Sequence, residues 1–219
     1  MLATLIEKTI RYVKLKTHHE PAGHDWFHIE RVWQMAKKLQ SREGGDLQLI
    51  EMSALLHDVG YHTYHEVDEE KGQLAMHGMM DILEIDEEFK NKIIEIVNLS
   101  KFKGDETKRA MTIEAQIVQD ANWLDSLGAI GVARTFAAGG YLGRPIYDPA
   151  IPVRSKLSKF VYQKNKREGT SINSFYEKAL HFPKLMNTAT ARQISERRVQ
   201  HVRIFLDQFM KEWQGEGDV

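Results

Sequence analysis

Between Leu47 and Gly60 a run of apolar residues at helical spacing ends abruptly in two polar ones. Leu47, Ile50, Ala54 and His57 share one face of a helix, so Ala54-Leu55-Leu56-His57-Asp58-Val59-Gly60 carries an imidazole and its neighbouring carboxylate towards a core. A polar group buried without a partner is costly, so burial demands a hydrogen-bond network or a metal ion. Taken alone, the pair reads first as a satisfied core histidine beside a C-terminal helix cap. Other polar interruptions of apolar faces change that reading.

The same helical spacing recurs along the chain. Leu2, Leu5, Ile6, Ile10 and Val13 predict a first helix to Thr17, and its His18-His19 pair reads as a solvated end. After Pro21-Ala22-Gly23, a second helix is expected to about Gln40, with Ile29, Val32, Trp33, Ala36 and Leu39 inward and Asp25 as N-cap. His28 lies four residues before Val32, beside the buried stripe. His24, one turn earlier, reads as an incidental loop histidine or as a contact to a site. The third helix runs from Asp46 to about Val59. Helices over Gly72–Leu83 and Asp86–Leu99 follow a polar stretch that contains His62 and His65.

A further helix is expected from near Lys108, with Ile113, Ile117, Asp120, Leu124 and Leu127 at alternating spacings of four and three. Asp120 thus sits inside an apolar row and needs a cation. Asp125, five residues on, falls about 140° around a helix from Asp120, so the two serve different ends. Lys101 and Lys103 either complement a helix C-terminus or face a phosphate. The glycines of Gly139–Pro145 break the helical pattern without forming a dinucleotide fingerprint. Arg154–Arg167 reads as a solvated amphipathic helix, or as a basic lid over an anionic substrate. A long helix closes the chain from about Thr190 to Trp213. Strand-like alternation is weak throughout, so the fold class expected is all-α.

Composition narrows the chemistry. At 219 residues, with 42% hydrophobic and 28% charged residues, the chain is long enough for one sizeable core. The expected organisation is one unit, with its core at about 23–144 and a helical extension at 145–219. A net charge of −1 argues against nucleic acid as a partner. The absence of cysteine excludes disulfides and thiolate metal sites, leaving His, Asp and Glu as ligands, and it suits the cytoplasm. The charged amphipathic start resembles neither a signal peptide nor a membrane span.

His28, His57-Asp58 and Asp120 form an ordered H…HD…D series on three expected helices. With GHDWFHIERV, ALLHDVG and IVQDANWLDSLGAIGVARTFAAGG, the stretch from Gly23 to Arg144 resembles the HD-domain superfamily of metal-dependent phosphohydrolases, in its YpgQ/YedJ-like bacterial subgroup. The resemblance implies an all-α helical bundle in which His28, His57, Asp58 and Asp120 ligate one divalent metal, manganese first, with magnesium, nickel, iron or zinc as alternatives. It implies a nucleotide substrate, and nucleoside triphosphate pyrophosphohydrolysis as the leading activity. A nucleotide phosphomonoesterase, a cyclic-nucleotide phosphodiesterase, a di-iron oxygenase drawing on His62, His65 or His77, and a non-catalytic nucleotide sensor are the alternatives. The chain lacks the acidic residue that some members place soon after the HD pair. The candidate bases are therefore Asp125, His24, Asp25 and His62, and the candidate phosphate contacts are Lys101, Lys103 and Arg144. A monomer or a homodimer is expected.

Overall fold

The computed structural model describes residues 2–18, 20–59, 69–158 and 168–216. Helices dominate these residues, and the β-structure among them is one isolated bridge, Lys103 to Asp105. In order the elements are α1 (Leu2–Lys16), α2 (Trp26–Glu43), α3 (Leu47–Leu56), α4 (Glu69–Ile82), α5 (Glu87–Ser100), α6 (Ile113–Leu124), α7 (Gly128–Tyr141), α8 (Ser171–Glu177), a 3-10 turn at Ala179–His181, α9 (Phe182–Leu185) and α10 (Ala189–Trp213).

Local chemistry sets most of the starts. Asp25, Asp46, Asp86, Thr112, Thr170 and Thr188 each accept a backbone N–H from the first turn of the helix that follows. Thr112 explains one difference from the sequence expectation: its cap starts α6 at Ile113 rather than near Lys108. A second difference is the break after Leu124, where Asp125 to Leu127 turn the chain and Gly128, at φ 72°, opens α7. The pattern-breaking glycines begin inside α7, which continues to Tyr141. The short elements between residues 171 and 185 were not legible as periodicity.

The core is built by α2, α3, α5 and α6, which pack on one another, with α1 against α3. Ile29, Val32, Ala36 and Leu39 of α2 are buried as their spacing requires, together with Ile50, Ala54, Leu55 and Leu56 of α3 and Ile117, Val118 and Ala121 of α6. Leu47 departs from the expected stripe: at the first position of α3 it is 40% exposed. The long α10 packs along α7 and reaches α6, α9 and α2, so the C-terminal segment rests on the faces that carry the polar residues. No helix among the described residues is long and apolar enough to cross a membrane.

Candidate metal centre

Three segments converge where α2 begins and α3 ends. Asp25 caps α2 through His28 N at 2.9 Å, which places the His28 side chain on the buried face one turn into the helix. His57 is the C-cap of α3, and its Nδ1 donates to Ala54 O at 2.8 Å, satisfying a carbonyl that the ending helix leaves open. Asp58 follows in the turn. His24, in the loop before α2, donates from Nδ1 to Asp58 Oδ2 at 2.7 Å.

The donor roles fix the ring orientations. Asp125 is a carboxylate and can only accept, so His28 Nδ1, 2.7 Å from Asp125 Oδ2, carries a proton. A carbonyl imposes the same on His57 Nδ1. Both rings then turn their Nε2 atoms on one another at 3.2 Å, and Asp58 Oδ2 lies 3.4 Å from the first and 3.5 Å from the second. Three acceptors thus meet inside the protein, with His28 and His57 essentially inaccessible to solvent. A single proton satisfies one of these lines, whereas a cation satisfies all three at once.

Electrostatics favour the same partner. Burial lowers His57 to about 4 and His24 to about 3, despite the opposing pull of Asp58, so both are neutral imidazoles at physiological pH. Asp58 pays a burial penalty, but His57 and His24 hold its carboxyl well below the usual range. The ligand atoms of His24, His28 and Asp58 lie within 4.8 Å of one another. Donors about 2.1 Å from one ion stand about 3.0 Å apart at right angles and about 3.4 Å apart at tetrahedral angles, which is the spacing of the His28, His57 and Asp58 atoms. Nitrogen and oxygen donors of this mix suit a divalent first-row metal.

Asp120 stands apart from this group. It is buried in α6 as its row predicts, but its Oδ1 accepts from Asn187 N and Nδ2, and its Oδ2 accepts from Thr188 N and Oγ1, all at 2.8–2.9 Å. Burial pushes its carboxyl upwards, against the pull of those four donors. The start of α10 thus supplies four donors to a carboxylate for which the sequence called for a cation. The carboxylate beside His28 is instead Asp125, the C-cap of α6. Arg31 holds Asp125 with Nε on Oδ1 at 2.8 Å and Nη2 on Oδ2 at 3.0 Å, and Arg134 adds Nη1 at 3.4 Å from Oδ2. Arg134 also donates from Nε to Gly23 O at 2.6 Å, tying the loop before His24 to α7.

The other candidates have other settings. Asp25 is engaged as the α2 cap, and His62 and His65 lie outside the described residues, as does 159–167 of the expected basic lid. Lys101 is the C-cap of α5 and Lys103 follows in a loop anchored by Phe102, which meets Trp123 and Phe182 edge-on. Arg144 donates to Ser174 Oγ at 2.9 Å, and Arg154 pairs with Glu177 at 2.7 Å. His77 lies half-buried in α4. Sequence reasoning missed Arg31 and Arg134. Arg31 was within reach, because it follows His28 by three residues on the same side of α2; Arg134 comes from a distant helix.

An all-helical fold with a histidine and an adjoining His-Asp pair meeting between two core helices defines the HD class, and comparison agrees. The HD-domain family model matches residues 26–127. The chain is 30% identical over 203 residues to the Bacillus subtilis protein YpgQ, covering 90% of this chain and 87% of that one. It belongs to the HD-domain superfamily. A Lactobacillus plantarum protein of known structure is similar with a TM-score of 0.88 at 32% identity, over 97% of this chain and 98% of that one. A Bacillus thuringiensis HD-superfamily hydrolase aligns at 41% identity and a TM-score of 0.71, over 99% and 100% of the two chains. YpgQ has been crystallised in complex with ADP, and that structure aligns at 26% identity with a TM-score of 0.70, over 94% and 97% of the two chains.

Proposed function

We propose that this chain is a metal-dependent phosphohydrolase acting on nucleotides, and specifically a nucleoside triphosphate pyrophosphohydrolase that releases a nucleoside monophosphate and pyrophosphate. The observation that carries the reading is the convergence of His28 Nε2, His57 Nε2 and Asp58 Oδ2 at 3.2–3.5 Å, three atoms that each have a lone pair to offer a cation. Membership of a superfamily that includes hydrolases supports the reaction type. The ADP complex of YpgQ supports a nucleotide as the substrate class.

In this reading His28, His57 and Asp58 hold one divalent ion, manganese first. An ion held by these residues would supply Lewis acidity and would make a water easier to deprotonate. His24, with its side chain 28% exposed at the edge of the group, holds Asp58 in place from one side and faces the reacting groups on the other. His24 and His62 remain the candidates for moving the proton of the attacking water. Lys101, Lys103 and Arg144 are the cations assigned to the phosphates. Water adds to the α-phosphorus, the bond from that atom to the bridging oxygen breaks, and pyrophosphate leaves with the charge that the basic side chains offset.

The test is a panel of nucleoside triphosphates incubated with the chain loaded in turn with manganese, magnesium, nickel, iron and zinc. Pyrophosphate and monophosphate are expected in equal amounts. Orthophosphate with nucleoside diphosphate would overturn the bond assignment. Hydrolysis only of monophosphates or cyclic nucleotides would move the activity to another phosphoester at the same residues. A chain that binds the metal yet turns over nothing in the panel would be a sensor.

A further inference from the structure

Asp125 has three charged or ring partners beside the centre, and no step of the reaction above uses it. Its two oxygens face His28 Nδ1 at 2.7 Å, Arg31 Nε and Nη2 at 2.8 and 3.0 Å, and Arg134 Nη1 at 3.4 Å. A carboxylate so occupied offers poor access to an attacking water. What it can do is dictate which nitrogen of His28 carries the proton.

We propose that Asp125, clamped by Arg31 and Arg134, is a positioning residue: it fixes His28 as the Nδ1–H tautomer and so bares Nε2 towards His57 and Asp58. Four observations support this. His28 is fully buried, so water cannot reset the ring. The bidentate Arg31 fork leaves Asp125 one orientation in which Oδ2 meets both Arg31 and His28. The two arginines balance the carboxylate, so that it adds no surplus negative charge beside Asp58. The same Arg134 binds Gly23 O through Nε, where a Cβ on Gly23 would come within 3.3 Å of Arg134 Cγ, so one side chain sets both Asp125 and the approach to His24. Carboxylates behind metal-bound histidines orient the ring and raise its donor strength, and their loss costs about 10–100-fold in metal affinity.

The inference rests on the metal reading, and the experiment separates the two. The 15N spectra of the imidazoles are recorded for the metal-free wild type at pH 8, for Asp125→Ala and for Arg31→Gln, alongside manganese and zinc affinity by calorimetry. Arg31 is accessible from a cavity of about 430 Å³ between α2, α7 and α10, so its truncation to Gln leaves the core packing in place and guards against a folding failure. The wild type is expected to show His28 protonated at Nδ1 and bare at Nε2. Asp125→Ala is expected to release a mixture of tautomers, with metal affinity falling by roughly 10–100-fold. Arg31→Gln is expected to keep the tautomer and lose about 10-fold in affinity. A wild-type His28 protonated at Nε2, or a folded Asp125→Ala with unchanged tautomer and affinity, would overturn the proposal. A wild type that holds the Nδ1–H form through Asp125 yet binds no divalent ion would sink the metal reading and leave the tautomer control standing.

Discussion

At His57 two demands meet in one ring, closing a helix with Nδ1 and presenting Nε2 to the group. Removing the ring removes both, so His57→Ala is expected to drop bound metal from one ion per chain to none, read by metal analysis after gel filtration. The same burial predicts a pH dependence. In the metal-free chain His57 is lowered to about 4 from an ordinary 6.5. A pKa depressed on folding gives stability that is present above pH 6.5 and is lost as pH falls towards 4. For one such histidine the slope is about 1.4 kcal/mol per pH unit. Denaturant unfolding of the metal-free chain at pH 7.5, 6 and 5 measures it, and His57→Gln should flatten the curve by that amount.

At the level of elements, the joint between α6 and α10 gives Asp120 partners that the sequence did not show. Periodicity located Asp120 inside an apolar face and the cost of burying it called for a cation, but four donors at the start of α10 meet the same need. Asp120→Asn is therefore expected to destabilise the fold by about 1–3 kcal/mol, because an amide nitrogen must face N–H and O–H donors, while metal stoichiometry stays at one. Loss of the ion in a folded Asp120→Asn would restore it as a ligand. A second joint links the loop after α5 to the segment before α8. Asp105 N donates to Leu157 O at 2.7 Å, and Leu157 N donates to Asp105 Oδ2 at 2.9 Å. Gly104, at φ 65°, lies beneath that joint, where a Cβ would fall 1.9 Å from Leu157 O. Gly104→Ala should pull the two loops apart and cost at least 1 kcal/mol or so, seen as a lower denaturation midpoint.

Over the whole molecule, an ion that binds the folded chain and not the unfolded one ties stability to metal supply. At a hundred times its Kd it adds about 2.7 kcal/mol. For a chain of this length that is a rise in Tm of roughly 5–10 °C, reversed by a chelator. A thermal scan with and without manganese checks it, and an unchanged Tm at saturating ion would count against the centre.

The residue types and spacings alone determined a great deal: an all-helical chain, the buried stripes of α2, α3 and α6, the Asp25 cap of α2, and His28 with His57-Asp58 as polar intrusions into a core. These follow from the 3.6-residue period and from the cost of burying charge, both of which are local and written in order along the chain. The break after Leu124 was less legible, because Leu124 and Leu127 continue the helical spacing across the Asp125 turn. Which carboxylate answers which need was decided only by tertiary structure. Asp120 and Asp125 lie five residues apart and look alike in sequence, yet one is met by α10 and the other by His28, Arg31 and Arg134. Partners drawn from 67 and 97 positions away depend on how helices pack, and periodicity carries no record of that.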